Sequence, residues 1–280
     1  MKINLAKSAG FCFGVKRAIG LALHTAASGK KVYMLGEIVH NEDVVRQIKR
    51  SGIRIIKKLP SSGKHKIFLI RAHGSRQKTI QTARRLHYAV ADATCPMVKE
   101  IHRIAQNMEK QGYRIIVIGD KLHDEVMGII GQIKGKAIVI DDQKNIPWEK
   151  IKKLKRACVV VQSTQNMEKV MWIVAKLKSY CRDIKFFNTI CQPTRLKQQE
   201  IKTMPRENDV MIIIGSKHSA NTQRLFEISK AINPRSYWVN RKADIRRGWF
   251  KGAKSVGITA GASTPDYTTK EVIAYIKKIA

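Results

Sequence analysis

The chain is poor in negative charge. Its 280 residues hold 21 Asp and Glu against 54 Lys and Arg, a net charge of +33. That excess favours anionic partners: nucleic acid, phosphorylated metabolites or an acidic protein. The basic residues are spread along the chain, as at Lys152–Arg156 and Arg241–Arg247, rather than held in one tail. Charge alone therefore selects no substrate, because a lysine-rich surface explains it equally well. Aromatic residues are scarce, at 6%, and no RNA-binding module is recognisable, which weighs against a basic RNA binder. No apolar run approaches the roughly 20 residues of a membrane helix. The opening Met-Lys-Ile-Asn-Leu-Ala-Lys lacks the apolar core of a signal peptide. Cys12 follows too soon for a transit peptide, so a cytoplasmic location is expected. Neither Cys-x-x-Cys nor Gly-x-Gly-x-x-Gly occurs. The first absence removes the usual framework of structural zinc. The second removes the common nucleotide fingerprint. Five widely spaced cysteines, an odd number, argue against a disulfide framework and for metal-binding or catalytic thiols.

Three of those cysteines share one place in an internal repeat. Residues 24 positions after Cys12, Cys95 and Cys191 are Gly36, Gly119 and Gly215. Each glycine closes an apolar run: Val-Tyr-Met-Leu, Ile-Ile-Val-Ile and Met-Ile-Ile-Ile. Residues 28 positions after the cysteines are His40, His123 and Ser219, and at 30 positions stand Glu42, Glu125 and Asn221.

Helix-period and short apolar segments alternate, which argues α/β with parallel sheets. Helices are expected over 15–27, 97–110 and 193–204, the last interrupted by Pro205. Strands are expected over 31–35, 113–118 and 209–214. Further strands read at 66–70, 157–161 and 254–259, each running into a polar loop. Helices over 76–87, 166–179 and 266–278 follow, with strands at 88–91 and 184–187 leading to Cys95 and Cys191. The third unit lacks that final strand, and Lys2–Leu5, which leads to Cys12, can supply it. The expectation is three pseudo-symmetric α/β units arranged around a centre: 13–95, 96–191, and 192–280 completed by 1–12. Ligands of open parallel sheets bind beyond the carboxyl ends of the strands, so one shared site is expected there.

Singly, each cysteine reads as a small buried hydrophobe. As a matched set, ligation is the better reading. Converging thiolates from separate segments are the usual way to hold an iron–sulfur cluster, with zinc the competing metal. Three thiolates leave one metal position open, which is a catalytic arrangement. Cys158, in Ala-Cys-Val-Val-Val, reads as core, and Cys181 has no assigned role.

The local sequences are specific. They include Ala9-Gly10-Phe11-Cys12-Phe13-Gly14-Val15-Lys16, Asp92-Ala93-Thr94-Cys95-Pro96-Met97-Val98 and Asn188-Thr189-Ile190-Cys191 with Thr194. His40-Asn41, Arg71-Ala72-His73-Gly74, His123-x-Glu125-Val126, Ser219-x-Asn221 and Gly261-Ala262-Ser263-Thr264-Pro265-Asp266 complete the set. Together, in order and over essentially the whole chain, they closely resemble the 4-hydroxy-3-methylbut-2-enyl diphosphate reductases. That family performs the last step of the methylerythritol phosphate route to isoprenoids.

The resemblance implies a 4Fe–4S cluster on Cys12, Cys95 and Cys191. It implies a substrate diphosphate held by His40, His73, His123, Ser219, Asn221 and Ser263. Protonated histidines, hydroxyls, an amide and loop N–H groups form a donor-rich shell suited to a polyanion. Glu125 matches the family's acidic residue near the substrate hydroxyl, and Thr164 matches the threonine that orients it, with Ser163 the adjacent alternative. His123 joins them in the catalytic set. Asn41 and Thr194 match positions lining the site, with secondary roles. Enclosure beside an anion is expected to raise the pKa of Glu125. The implied reaction is a two-electron reductive dehydroxylation of the allylic diphosphate, giving isopentenyl and dimethylallyl diphosphate. Its electrons come from an acidic ferredoxin or flavodoxin.

Three positions depart from the family pattern. Ala220 stands where many members carry a second serine, and its backbone N–H still serves. Ser75 and Asp124 stand where proline is common, and looser loops are expected there. Two other readings compete: a basic cluster-containing RNA binder, and a cluster-dependent hydro-lyase that needs no external electrons.

Overall fold

The structure, a computed structural model, describes residues 1–279. The elements run β1 (Lys2–Leu5), α1 (Phe13–Ala26), β2 (Lys31–Leu35), α2 (Glu42–Arg50), β3 (Arg54–Ile56), β4 (Lys66–Ile70), α3 (Gln77–Arg85) and β5 (Ala89–Asp92). They continue with α4 (Pro96–Lys110), β6 (Arg114–Ile118), α5 (Asp124–Ile130), β7 (Ile138–Ile140), α6 (Trp148–Ile151), β8 (Arg156–Val161), α7 (Met167–Lys178) and β9 (Asp183–Phe186). The last stretch holds α8 (Gln192–Glu207), β10 (Val210–Ile214), α9 (Ala220–Ile232), β11 (Ser236–Val239), β12 (Ser255–Ala260) and α10 (Asp266–Ile279).

These strands form three four-stranded parallel sheets, ordered β3-β2-β4-β5, β7-β6-β8-β9 and β11-β10-β12-β1. The strand order is the same in all three. In the last sheet the N-terminal strand takes the edge that β5 and β9 hold in the others, pairing Lys2–Leu5 with Ser255–Ile258. By internal contacts the chain divides into two compact bodies. One comprises Met1–Lys16, Val39–Val45 and the chain from Cys191 onward. The other comprises Arg17–Ile38 and Arg46–Ile190, and carries two of the sheets.

The alternation of side chains along a strand explains why helices cover both sheet faces. On β6, Ile115 and Val117 pack with Ile101, Ala105 and Val126 from α4 and α5. Ile116 and Ile118 face the opposite way, against Val170, Ile173 and Leu177 of α7. On β10, Ile212 and Ile214 pack with Val272 and Ile276 of α10, and Met211 and Ile213 with Ile201 and Leu225. The glycine after each central strand follows from crowding. A Cβ at Gly119 would lie 2.7 Å from Val126 Cγ2, and one at Gly215 would lie 2.6 Å from Thr222 Oγ1.

Pro205 does not interrupt α8, which runs on to Glu207. A proline costs a helix its own N–H bond and strains the turn before it. Placed in the last turn, Pro205 disturbs only the helix end, whose terminal carbonyls find side-chain donors instead of a further turn. Asn208 Nδ2 donates to the Met204 carbonyl at 2.9 Å, and Asn233 Nδ2 to that of Pro205 at 3.1 Å.

Candidate functional site

Each repeated cysteine stands immediately before a helix. Cys12 precedes α1, Cys95 is the N-cap of α4 with Pro96 after it, and Cys191 is the N-cap of α8. A helix N-terminus favours a thiolate over a thiol. All three are half-buried, whereas Cys158 and Cys181 are buried. Burial pushes the Cys158 thiol up to about 12 and raises that of Cys181. The five thiols thus sort into three suited to ligation and two suited to packing. Cys191 Sγ lies 3.1 Å from Thr194 Oγ1, and Cys12 Sγ accepts from the Val15 N–H at 3.5 Å.

The loop bearing Cys95 is held from several sides. Its N–H donates to the Ala72 carbonyl at 3.0 Å. Arg17 donates to the Thr94 carbonyl at 3.1 Å. Asp92 accepts from the Thr94 N–H and hydroxyl and pairs with Lys99 at 2.6 Å. Burial alone would raise the Asp92 pKa, but the Lys99 and Thr94 contacts outweigh it and lower the value.

Beyond the ends of β6 and β8 lies a compact polar group. Glu125, in the first turn of α5, is 2% exposed. Its carboxylate accepts from the Ser163 N–H at 2.6 Å and the Ser163 hydroxyl at 2.8 Å. Burial raises its pKa, with the nearby Asp120 charge adding to the rise and the Ser163 bonds opposing it. The residue that touches Glu125 is therefore Ser163, while the Thr164 hydroxyl accepts from Gln162 Nε2 at 2.9 Å. Gln162 also receives the Asp120 N–H at 2.8 Å, tying the two strand-end loops together.

His123 caps α5, its Nδ1 accepting the Glu125 N–H at 3.1 Å. With Nδ1 taken up as an acceptor, Nε2 is the ring nitrogen of His123 left to serve as a donor. His73 meets it edge-on, with ring centroids 5.5 Å apart at 88°. Arg71 and Asp124 hold this pair of loops together through two bonds of 2.5 and 2.7 Å. The expected loosening at Asp124 is thus replaced by a bidentate ion pair. Ser75 is anchored as well, its carbonyl accepting from Gln132 Nε2 at 2.7 Å.

In the body that contains Cys12 and Cys191, Asn41 caps α2, accepting the N–H groups of Asp43 and Val44 at 3.1 Å each. The His40 carbonyl accepts from the Ser263 hydroxyl at 3.1 Å. Glu42 receives the Ser216 hydroxyl at 2.8 Å and Asn240 Nδ2 at 3.3 Å. Burial would raise the Glu42 pKa, but these bonds and its own backbone N–H lower it. Ser219 caps α9, accepting from the Thr222 N–H at 3.3 Å. Ala220 is the first residue of that helix. Asn221 follows, 4% exposed, with its Nδ2 buried and without a hydrogen-bond partner. A buried amide donor left unpaired costs about 1–3 kcal/mol, a cost that an anionic ligand removes.

Gln162, Asp120 and Glu42 were not singled out as site residues from the sequence, and Ser163 was named only as the alternative to Thr164. Glu42 carried one available signal, since it stands at the offset of Glu125 in the repeat.

The LytB protein family matches residues 3–277 of the chain. A 4-hydroxy-3-methylbut-2-enyl diphosphate reductase of Geobacter metallireducens is 39% identical, covering 100% of this chain and 98% of the relative. One of Aquifex aeolicus is also 39% identical, covering 99% and 96%. Among solved structures, an (E)-4-hydroxy-3-methyl-but-2-enyl diphosphate reductase described as the terminal enzyme of the non-mevalonate pathway is 38% identical. It aligns over the whole of both chains with a TM-score of 0.73. The E-1-hydroxy-2-methyl-but-2-enyl-4-diphosphate reductase of Plasmodium falciparum aligns over 98% of this chain and 87% of its own, with a TM-score of 0.90 at 27% identity.

Proposed function

The chain belongs to the LytB protein family, and we propose that it reduces (E)-4-hydroxy-3-methylbut-2-enyl diphosphate to isopentenyl and dimethylallyl diphosphate. The reaction takes two electrons and two protons. The allylic C–O bond breaks, a C–H bond forms, and the oxygen leaves as water. The observation that carries this reading is Glu125: a buried carboxyl of raised pKa, fixed by Ser163 beside the His123 cap of its helix.

Cys12, Cys95 and Cys191 would hold a 4Fe–4S cluster, and their half-buried positions at helix N-termini fit that role. When bound, the cluster would pass on electrons from an external donor and offer a Lewis-acidic iron for the departing hydroxyl. Glu125 holds the proton that makes the hydroxyl a leaving group. A general acid works best with a pKa near the operating pH, and burial moves Glu125 in that direction. Ser163 keeps the carboxyl aimed while it changes protonation. Thr164 orients the substrate hydroxyl. Nε2–H of His123 donates to the diphosphate. His40, His73, Ser219, Asn221 and Ser263, with the Ala220 N–H, complete the diphosphate-binding set, and Asn41 and Thr194 line it. The donors at α9 gain from the helix dipole.

The three-unit division at 13–95, 96–191 and 192–280 with 1–12 belongs to the same reading, supported by the repeated strand order. A ferredoxin or flavodoxin is the donor of the electrons. Such proteins are acidic, and a chain of charge +33 steers them. No helix among the described residues is long and apolar enough to cross a membrane, in keeping with a cytoplasmic enzyme.

Anaerobic purification with iron and sulfide analysis tests the reading. About four of each per chain, and a chromophore that reductant bleaches and the allylic diphosphate perturbs, are expected. A zinc protein, or one with no reducible chromophore, refutes it.

A further inference from the structure

Lys197 is 2% exposed and among the largest fully buried side chains of the protein. It lies on α8, two turns after Cys191. Its ammonium donates to three backbone carbonyls: Ser8, Gly10 at 3.1 Å and Ala260 at 2.9 Å. Three donors meet three acceptors, so the group is fully satisfied. Two of the acceptors lie in the loop that leads to Cys12, and the third ends β12. One turn further along α8, Glu200 accepts from the Ser8 N–H at 3.1 and 3.3 Å and from the Ser8 hydroxyl. The same loop is stitched to the end of the sheet, with the Gly10 N–H on the Ala260 carbonyl at 3.4 Å and the Cys12 N–H on the Ala262 carbonyl at 3.1 Å.

Hydrogen bonding alone does not require a lysine here. A neutral amide could bond carbonyls without the several kcal/mol that burying an ammonium costs. The charge has nearby opposites. Burial pushes the Lys197 pKa down to about 8, and the groups that oppose this are Cys12, Glu200 and Cys191. Bonded to the carbonyl two residues before Cys12 and borne on the helix that Cys191 caps, the ammonium places a positive charge close to two of the three thiols assigned to the cluster. Nearby charge and hydrogen bonding are what set the potential of an iron–sulfur centre.

Resting on the cluster reading above, we propose that Lys197 is the clamp and buried counter-charge of that centre. It fixes the loop of Cys12 to the helix of Cys191, and its positive charge raises the potential at which the cluster accepts an electron. Lys197 acts through the Cys12 loop that its ammonium holds and is a positioning residue.

The test compares wild type, K197R and K197Q, each prepared anaerobically with its cluster and again as the apo-protein. Arginine keeps the charge and enough donors for the three carbonyls, whereas glutamine loses the charge and brings only two N–H donors to them. Iron per chain, the midpoint potential and amide exchange at Gly10 and Cys12 in the apo-protein are measured. K197R is expected to match wild type within threefold in each. K197Q is expected to shift the one-electron equilibrium at least tenfold toward the oxidised form, a midpoint about 59 mV lower. Its two amides are expected to exchange at least tenfold faster. A K197Q protein with wild-type potential and wild-type exchange overturns the proposal. Should K197Q not fold, K197R decides: a tenfold departure from wild type in potential or exchange refutes the proposal, and agreement supports it. A wild-type protein without iron would sink the cluster reading instead, and the apo-protein exchange would still decide the clamp.

Discussion

His102 should make the protein acid-sensitive at one definable place. It lies on α4, with its ring packed against the loop at Gly74 and against α5 at Gly128. A Cβ at Gly74 would lie 2.7 Å from its Cε1, and one at Gly128 would lie 3.4 Å from its Nε2. Its Nε2 is buried without a hydrogen-bond partner. Burial pushes its pKa down from 6.5 to about 4, with the Asp92 charge opposing and the Lys99 charge reinforcing the depression. Between these values the unfolded chain binds a proton that the folded chain refuses. The stabilisation is therefore complete above about pH 6.5 and is lost as pH falls toward 4. At 1.36 kcal/mol per pKa unit the gap amounts to about 3 kcal/mol, a large share of a typical folding free energy of about 5–15 kcal/mol. Denaturant titrations of wild type and His102→Gln between pH 4 and 7.5 measure it. The stability of wild type relative to the variant should fall by about 3 kcal/mol across that range. Proton NMR of the His102 ring should place its midpoint well below that of an exposed histidine. A midpoint at 6 or above, or parallel stability curves for the two proteins, refutes the reasoning.

Glu125→Gln keeps the shape and removes the titrating proton, so turnover should drop at least a hundredfold while substrate affinity is retained. Full activity would remove Glu125 from its role. Ser163→Ala deletes one of the two bonds to that carboxylate, and a hydrogen bond to a charge is worth about 1.5–3 kcal/mol. It should therefore lower activity more than Thr164→Ser, and the reverse order in kinetic assays would show that the Ser163 bond does not support Glu125. Arg71→Lys keeps the charge but loses the two-pronged grip on Asp124. Loss of about 1 kcal/mol should raise KM roughly fivefold with little change in kcat, and an unchanged KM would show that the pair does not hold the His73 loop. Turnover with a ferredoxin or flavodoxin should weaken steeply with added salt, and salt-independent turnover would exclude steering by the net charge.

The central strands were legible in the sequence because each is a short apolar run that is buried on both faces, as at 115–118 and 211–214. The edge strands β3, β7 and β11 were not. They hold only three or four residues each and, unlike the equally short β1, β5 and β9, lead to no repeated cysteine that marks their place. Helix ends read from capping and punctuation came within one to three residues. Pro205 misled because the helix runs two residues past it, and Asn233, which bonds the Pro205 carbonyl from 28 residues away, is a partner the local sequence does not display.

The sequence by itself determined the parallel α/β class, the repeat, the three cysteines at equivalent places and the positions of the polar loops. All of these depend on short-range periodicity and spacing. Only the tertiary structure decided which polar groups meet. Ser163 rather than Thr164 reaches Glu125 across 38 residues, Asp124 meets Arg71 across 53, and Lys197 reaches the Cys12 loop across 187. Such pairings are set by how the strands order in each sheet and by what burial leaves unsatisfied. Neither is written in any local stretch of the chain.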